Sequence, residues 1–262
     1  MTPTATLADA LAQAEREGRT LAPDPALAPA SLDEAEAVQA DVLERLRWRA
    51  RAWKLGASTH GARNALGLSR VFSGAVPADR CLGTGARLPL ATLRQRGVEC
   101  ELALTVQAPD TPTLQRLEAA DALEREALAR RCVLACHSAL ELPQSRWPTL
   151  GAGGALALVA DNGAAGWVVL GPGAEPEALD RARTGRLWID GEPVASGDTS
   201  AFVMPPLALL ADHLLRLARR GLGDTGPTTV LLGSVTPYHP LQGAARVRAG
   251  FDGLPAVELE LA

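Results

Sequence analysis

Residues 98–106 read VECELALTV, and this stretch decides how the rest of the chain is interpreted. The run is apolar apart from its two glutamates and one threonine, which predicts a β-strand. Because side chains alternate faces along a strand, Glu99 and Glu101 point to the same side, about 7 Å apart. Two carboxylates on one face repel each other unless water or a cation lies between them. The pattern therefore predicts either a solvated strand face or a cation-binding site.

A third glutamate lies in a second predicted strand, residues 137–142. Glu141 would complete an all-oxygen site with Glu99 and Glu101 if the two strands are neighbours. Three carboxylates suit a hard divalent ion such as Mg²⁺ or Mn²⁺, and they leave coordination positions for water and a chelating substrate. The alternative is an ordinary surface carboxylate, which is what most glutamates are.

The lysine in the sequence WKLG, residues 53–56, is unusual because the surrounding predicted strand is apolar. One interpretation of Lys54 is an edge-strand lysine that discourages aggregation. The other is a partly buried lysine with a lowered pKa, which would transfer a proton or hold an oxyanion.

The remaining sequence predicts an α+β protein with helices at its N-terminus. Residues 6–17 show a helical apolar stripe, and Ser31 with Glu34 forms a capping box that opens a second helix to about Trp48. After Ala52, short apolar runs separated by glycine and proline indicate a β-rich body. The predicted strands are residues 52–56, 98–106, 137–142, 166–170, 186–189, 230–232, 245–251 and 257–261. Two helices interrupt them, one within residues 114–135 and one at residues 206–219.

Composition restricts the classes of function. The chain has 262 residues and a net charge of −4, which argues against a basic surface for nucleic acid. No apolar run approaches the roughly 20 residues that span a bilayer, and the N-terminus lacks a secretory signal pattern. Four cysteines give no indication of an oxidising compartment. We therefore predict a cytoplasmic protein with neither a nucleic-acid nor a membrane partner.

Several ordered blocks resemble the 2-keto-4-pentenoate hydratases, which are part of the fumarylacetoacetate hydrolase superfamily. The blocks are AEAVQ (35–39), WKLG (53–56) with Leu66-Gly67, VECELA (98–103), ALE (139–141) with Ser145-Arg146, ADNG (160–163), and the segments 166–171, 191–197 and 206–221. Because the blocks keep their order over nearly the whole chain, together they are more specific than any one motif.

The resemblance implies a mixed, β-rich α+β fold, with an N-terminal helical segment at residues 1–50 and a catalytic domain at residues 51–262. It implies a small unsaturated 2-oxo acid as substrate, as in aromatic catabolism, and a homo-oligomer that in this family can also associate with a decarboxylase or hydratase partner. It assigns Mg²⁺ or Mn²⁺ to Glu99, Glu101 and Glu141, acid–base roles to Lys54 and Asp79, and substrate contacts to Leu55, Asn162, Ser234 and Thr236. Asp79 also fits an ordinary turn aspartate.

Two segments, both predicted to be loops, depart from the family's pattern: residues 69–78 and residues 234–243. Both are expected to face substrate, so they leave the substrate preference open. Hydration is the main interpretation, because Ser234, Thr236 and their neighbours offer hydroxyl groups that would retain water. The alternatives are a 2-oxo acid decarboxylase of the 4-oxalocrotonate type, an acylpyruvate-type C–C hydrolase, and a catalytically silent partner subunit. Clustered carboxylates argue against the silent subunit, since a scaffold has no need of them.

Overall fold

The computed structural model describes residues 3–223, 226–243 and 245–262. The helices are α1 (Pro3–Glu17), α2 (Leu32–Leu46), α3 (His60–Leu66), α4 (Thr111–Ala119), α5 (Ala122–Cys132), α6 (Gly154–Ala160) and α7 (Pro206–Arg219). The strands are β1 (Ala50–Gly56), β2 (Phe72–Pro77), β3 (Cys81–Gly83), β4 (Ala86–Leu88), β5 (Gly97–Val106), β6 (Val133–Leu142), β7 (Trp167–Leu170), β8 (Thr184–Ile189), β9 (Glu192–Asp198), β10 (Thr228–Ser234), β11 (His239–Pro240), β12 (Ala245–Phe251) and β13 (Val257–Leu261). The predicted α+β class is confirmed.

The larger sheet places the VECELALTV strand at its centre. Its strand order is β2-β1-β10-β5-β6-β7-β3, and β11 pairs with the start of β5. The strand β5 runs antiparallel to both of its long neighbours, β10 and β6, whereas β1 runs parallel to β10. Residues from β1, β5, β6 and β10 are therefore brought side by side, although they are far apart in sequence.

A smaller sheet, with the order β4-β13-β12-β8-β9, covers one face of β5. Leu102 and Leu104 on β5 share a fully buried core cluster with Val247 and Leu259 of the smaller sheet. This packing uses the apolar face of β5, as the alternation of its sequence requires. The opposite face, which carries the glutamates, is thereby left for the functional site.

The N-terminal helices are fixed to the body by a buried ionic network. Glu15 on α1 pairs with Arg80, with Arg94 at 2.9 Å and with Arg146 at 3.4 Å. Arg146 is itself buried and pairs with Asp161. The boundary predicted at residue 50 falls where β1 begins, and the division into two segments stays a prediction.

All eight predicted strands are present, and the structure adds elements that were not predicted: the helices α3 and α6 and the strands β2, β3, β4, β9 and β11. Two predicted segments are corrected. The helix expected within residues 114–135 is two helices, because Asp121 caps a new helix by accepting a hydrogen bond from the Glu124 N–H, and the chain then enters β6 at Val133. Residues 69–78 are not a loop: Phe72–Pro77 form a buried strand that pairs with β1. Among the residues described, no helix has the length and apolarity needed to cross a membrane.

Candidate active site

Three glutamates meet on one face of the larger sheet. Glu99 lies directly opposite Glu141 in the antiparallel pairing of β5 with β6, and Glu101 follows two residues later on the same face of β5. One carboxylate oxygen from each residue lies within 4.8 Å of those of the other two. Within the described part of the chain, no other set of three or more His, Cys, Asp or Glu side chains converges in this way.

The cluster contains more negative charge than the protein compensates, since three carboxylates face one cation, Lys54. Glu141 is fully buried, and neither of its carboxylate oxygens has a hydrogen-bond partner. Glu101 is also buried and accepts one hydrogen bond, from the Gly233 N–H at 2.9 Å. Burying an unpaired carboxylate is costly, so native proteins pair such groups or give them a metal ion. An all-carboxylate set of this size fits a hard divalent cation such as Mg²⁺ or Mn²⁺.

The titration behaviour of the cluster follows from the same crowding. Burial raises the pKa of Glu99 to about 8, repulsion from Glu141 adds to the rise, and Lys54 opposes it. Burial likewise raises the pKa of Glu101 well above its usual range, with Glu141 and Glu99 adding their repulsion. Three neighbouring carboxylates cannot all ionise cheaply without a counter-charge.

Lys54 supplies one positive charge beside these glutamates. Its Nζ lies 3.5 Å from Oε1 of Glu141, and the side chain is almost completely buried. Burial by itself would lower the pKa of Lys54, but the charges of Glu141, Glu99 and Glu101 outweigh burial and raise it. The lowered pKa expected from the sequence is therefore wrong, because the prediction counted the apolar strand and not the carboxylates on neighbouring strands.

A cavity of about 660 Å³ opens beside the cluster. Its polar lining residues are Lys54, Ser58, Thr59, Glu99, Glu101, Glu141, Ser234, Thr236 and Tyr238. Its apolar lining includes Leu55, Ala62, Ala65, Leu66, Phe72, Leu150 and Leu158. The cavity lining therefore combines charged groups, hydroxyl-bearing residues and hydrocarbon side chains.

Phe72 is a lining residue that the sequence analysis did not single out. It sits opposite Gly56 in the pairing of β1 with β2, and its ring centroid is 6.0 Å from Lys54 Nζ. The ring fits because Gly56 and Gly163 lack a Cβ, which would overlap it at either position. The usable signal was the largely apolar run from Val71 to Val76, which predicts a strand without showing its neighbour.

The segment after β10 forms another wall of the cavity and is tied to β5. The Thr236 hydroxyl accepts a hydrogen bond from the Cys100 N–H at 3.1 Å, and the Ser234 hydroxyl donates to the Thr236 carbonyl at 2.6 Å. Tyr238 packs against Gly97, where a Cβ would overlap the phenol ring. Burial, together with the charge of Glu99, raises the pKa of Tyr238.

The structure does not bring two of the predicted site residues to the cavity. Asp79 lies exposed in the short 3₁₀ turn after β2, outside the cavity lining. The Asn162 side chain is held elsewhere: it accepts from the Ala75 N–H, donates to the Ala75 carbonyl, and accepts from the Gln39 amide. Asn162 thus positions the turn whose next residues, Gly163 and Ala164, do line the cavity. The other predicted site residues, Lys54, Leu55, Glu99, Glu101, Glu141, Ser234 and Thr236, all lie at the cavity.

Comparison with known proteins gives relatives over nearly the full chain. No family model matches. A curated 2-keto-4-pentenoate hydratase from Burkholderia vietnamiensis is 29% identical over 264 residues, covering 97% of this chain and 95% of the relative. The structure of 4-oxalocrotonate decarboxylase from Pseudomonas putida G7, complexed with magnesium and adipate, superposes with a TM-score of 0.85 at 19% identity, covering 99% of this chain and 97% of that chain.

A more distant solved structure extends the likeness in fold. The fumarylpyruvate hydrolase from Pseudomonas aeruginosa, in complex with Mn²⁺ and pyruvate, has a TM-score of 0.58 at 15% identity and covers 82% of this chain and 90% of that chain. These likenesses confirm the resemblance predicted from the sequence: the chain is related to the 2-keto-4-pentenoate hydratases and has the fold of the fumarylacetoacetate hydrolase superfamily.

Proposed function

We propose that this chain is a divalent-metal-dependent lyase that adds water to a small unsaturated 2-oxo acid. The observation that carries the proposal is the cluster of Glu99, Glu101 and Glu141 beside Lys54 at the cavity, in which the Glu141 oxygens accept no hydrogen bond. The curated relative that aligns with 97% of this chain is named a hydratase, which supports the same class of reaction.

The three glutamates would hold Mg²⁺ or Mn²⁺. Solved structures with this fold carry these ions, magnesium in the decarboxylase and Mn²⁺ in the fumarylpyruvate hydrolase. When bound, such an ion supplies Lewis-acid polarisation of a substrate carbonyl or carboxylate oxygen. The protein's own part is to present three carboxylates from two neighbouring strands at the wall of one cavity.

Lys54 would act on the substrate from the same side of the cavity. Its buried ammonium places a fixed positive charge next to the glutamates, where negative charge on a substrate oxygen would develop. Preorganised charge in a site that excludes water stabilises such an oxyanion more than it would in solution. Lys54 is also the one cationic side chain among the described cavity-lining residues, so we assign to it the donation of a proton to a substrate oxygen.

Hydration also requires a place for the water that is added. Ser234, Thr236 and Tyr238 all line the cavity. The Ser234 and Thr236 hydroxyls each bond a backbone group and keep further hydrogen-bonding capacity for water. Polar walls of this kind hold ordered water, whereas apolar cavities stay dry. This arrangement supports hydration over the other reactions of the superfamily.

Decarboxylation of a 4-oxalocrotonate-type acid is the second candidate. It is favoured by the TM-score of 0.85 to a decarboxylase and by the apolar wall that Phe72 and the neighbouring leucines form. An apolar wall suits the departure of uncharged carbon dioxide, and the glutamates serve both reactions equally well.

A panel of substrates separates these functions. The protein with Mg²⁺ would be incubated with 2-hydroxypenta-2,4-dienoate, 4-oxalocrotonate and an acylpyruvate in ¹⁸O-labelled water. We expect labelled oxygen at C4 of the product from the dienoate, and loss of turnover after exhaustive chelation. Stoichiometric carbon dioxide from 4-oxalocrotonate without a hydrated product would instead show a decarboxylase, and pyruvate released from the acylpyruvate would show a C–C hydrolase. Absence of turnover with all three would leave the silent partner subunit.

We also infer a cytoplasmic location and a homo-oligomeric assembly, which fractionation and light scattering would test. All four cysteines are free in the structure, which supports a reducing compartment. The acidic net charge of −4 supports small-molecule chemistry rather than nucleic-acid binding.

A further inference from the structure

The residues that line the cavity differ in chemistry from element to element. Lys54 and the three carboxylates come from β1, β5 and β6, whereas six apolar lining residues come from α3, from β2 and from α6 with the segment before it: Ala62, Ala65, Leu66, Phe72, Leu150 and Leu158. Leu66, Phe72 and Leu158 pack in one hydrophobic cluster. Leu66, Leu150 and Leu158 are only partly buried, so their exposed hydrocarbon surface faces the cavity. A ligand that covers this surface would gain the free energy of apolar burial.

The charges of the lining residues also favour an apolar substrate tail. Among the described residues that line the cavity, Lys54 is the one cationic side chain, and it is already paired with Glu141. Arg63 on α3 is engaged through its Nε with the Ala57 carbonyl and does not line the cavity. A second carboxylate on a substrate would therefore be desolvated without a cationic partner among these lining residues, which is costly.

The size of the cavity exceeds what a five-carbon acid requires. Its volume of about 660 Å³ falls in the range of roughly 300–1,000 Å³ that accommodates drug-sized ligands. A short 2-oxo acid bound at the glutamates would leave much of this volume unfilled.

We infer that this chain takes 2-oxo acids with an unbranched hydrocarbon tail of several carbons, and that its apolar wall refuses a second carboxylate. The inference rests on the proposed function, because the glutamate cluster and Lys54 must first bind the 2-oxo acid head. Leu66, Phe72, Leu150 and Leu158 then determine which tail is accepted.

Binding of saturated 2-oxo acids tests the tail without any turnover. Calorimetry with the Mg²⁺-loaded protein would compare pyruvate, 2-oxopentanoate, 2-oxohexanoate and 2-oxooctanoate, with 2-oxoadipate as the six-carbon diacid. We expect each added methylene to tighten binding by about three- to fourfold. We also expect 2-oxohexanoate to bind at least tenfold more tightly than 2-oxoadipate.

The pyruvate measurement separates failure of the inference from failure of the proposed function. If pyruvate binds but lengthening the chain has no effect, or if the two six-carbon acids bind equally, the tail inference is overturned and the proposed function stands. If no 2-oxo acid binds in the presence of Mg²⁺, both are overturned.

Two variants would place the tail on the leucine wall. Leu158→Lys and Leu66→Lys each introduce a cation there, on different helices, so that one informative variant remains if the other fails to fold. Either should reduce the preference for 2-oxohexanoate over 2-oxoadipate by tenfold or more. Leu123→Lys, at an 81% exposed position on α5 outside the cavity, is the matched control and should leave the preference unchanged. An unchanged preference in a folded Leu158→Lys or Leu66→Lys protein would contradict the inference.

Discussion

Among single residues, Lys54 and the glutamates around it have different roles in the proposed chemistry. Lys54 is a buried cation beside the cluster, and its Nζ lies 3.5 Å from Oε1 of Glu141. A lysine in this position contributes charge rather than a metal ligand, since a protonated ammonium has no lone pair to offer. Its removal and the removal of a glutamate should therefore have separable effects.

Lys54→Met should separate catalysis from metal binding. Methionine keeps the length of the side chain and removes its charge, so the fold and the three carboxylates remain. We expect the turnover number to fall by at least a hundredfold, because the charge acts on the transition state. Steady-state kinetics checks this effect, and Mg²⁺-induced thermal stabilisation should persist in the same variant. A variant with near-normal turnover would return Lys54 to a purely structural role.

At the scale of elements, the site depends on β10, which lies between the lysine strand β1 and the glutamate strand β5. Gly233 on β10 has a φ of +115°, donates its N–H to Glu101, and lies so close to Ser58 that a Cβ would overlap the serine hydroxyl. A glycine is required here for both its backbone conformation and its lack of a side chain.

Gly233→Ala should therefore damage the site through the backbone. We expect a loss of roughly 1–3 kcal/mol of unfolding free energy from the strained backbone conformation, and weaker Mg²⁺ binding as the N–H moves away from Glu101. Urea denaturation and calorimetry check the two effects. Gly83→Ala on β3 is the control, because an alanine Cβ at Gly83 would have no neighbouring atom within 4 Å and the residue has no positive φ. Equal effects of the two substitutions would contradict the argument.

The packing of α7 against β2 introduces a pH dependence of stability. His213 on α7 is fully buried and shares a hydrogen bond of 2.9 Å between its Nδ1 and the Ser73 hydroxyl. Burial, with the charges of Arg216 and Arg220, lowers the pKa of His213 from 6.5 to about 3. In the unfolded chain His213 therefore binds a proton below about pH 6.5, whereas in the folded chain it does so only below about pH 3. Stability from this residue is complete above pH 6.5 and falls as the pH drops.

When the pH falls from 7 to 5, proton binding by His213 in the unfolded chain should lower the free energy of unfolding of the wild type by about 2 kcal/mol. This value follows from the linkage of about 1.36 kcal/mol per pKa unit. His213→Gln removes the titration and keeps a polar group near Ser73. We expect the difference in stability between wild type and variant to shift by this amount between the two pH values, as measured by urea denaturation. A difference independent of pH would show that His213 binds its proton equally well in the folded and the unfolded chain, and would contradict the lowered pKa.

Local patterns in the sequence were sufficient to predict part of this site. The period-two spacing of Glu99 and Glu101 placed both carboxylates on one face, because strand geometry fixes that alternation. The contact with Glu141 depends on the register of β5 with β6, which is a long-range pairing that spacing does not encode. For the same reason, the carboxylates that raise the pKa of Lys54 could not be recognised from the residues around it in the sequence.

The placements of Asp79 and Asn162 show a second limit. Asn162 matches a family block and Asp79 was assigned by its position in the chain, yet Asp79 is exposed to solvent and Asn162 is used by the backbone of Ala75. A short polar side chain next to a turn serves a backbone hydrogen bond as readily as a substrate. Phe72 was missed for the converse reason, since an apolar residue in a glycine-containing run carries no chemical signal of its own.

In the whole molecule, the two faces of β5 have different roles: one face is buried in the core, and the other carries the glutamates of the candidate active site. The smaller sheet covers the apolar face, and the glutamates occupy the other face within the cavity. The α+β class was predictable because the apolar pattern changes after residue 52, from helical periodicity to short apolar runs separated by glycine and proline. The central claim is that the three glutamates share one divalent ion.

The most direct test of this claim is the melting temperature of the protein with and without Mg²⁺, in wild type and in Glu141→Gln, with exposed Glu192→Gln as the control. Ligand at one hundred times its Kd stabilises the folded state by about 2.7 kcal/mol, which corresponds to roughly 5 °C or more. The account predicts this shift in wild type and control, and none in Glu141→Gln, which should still fold. An equal Mg²⁺-induced shift in all three proteins would contradict it.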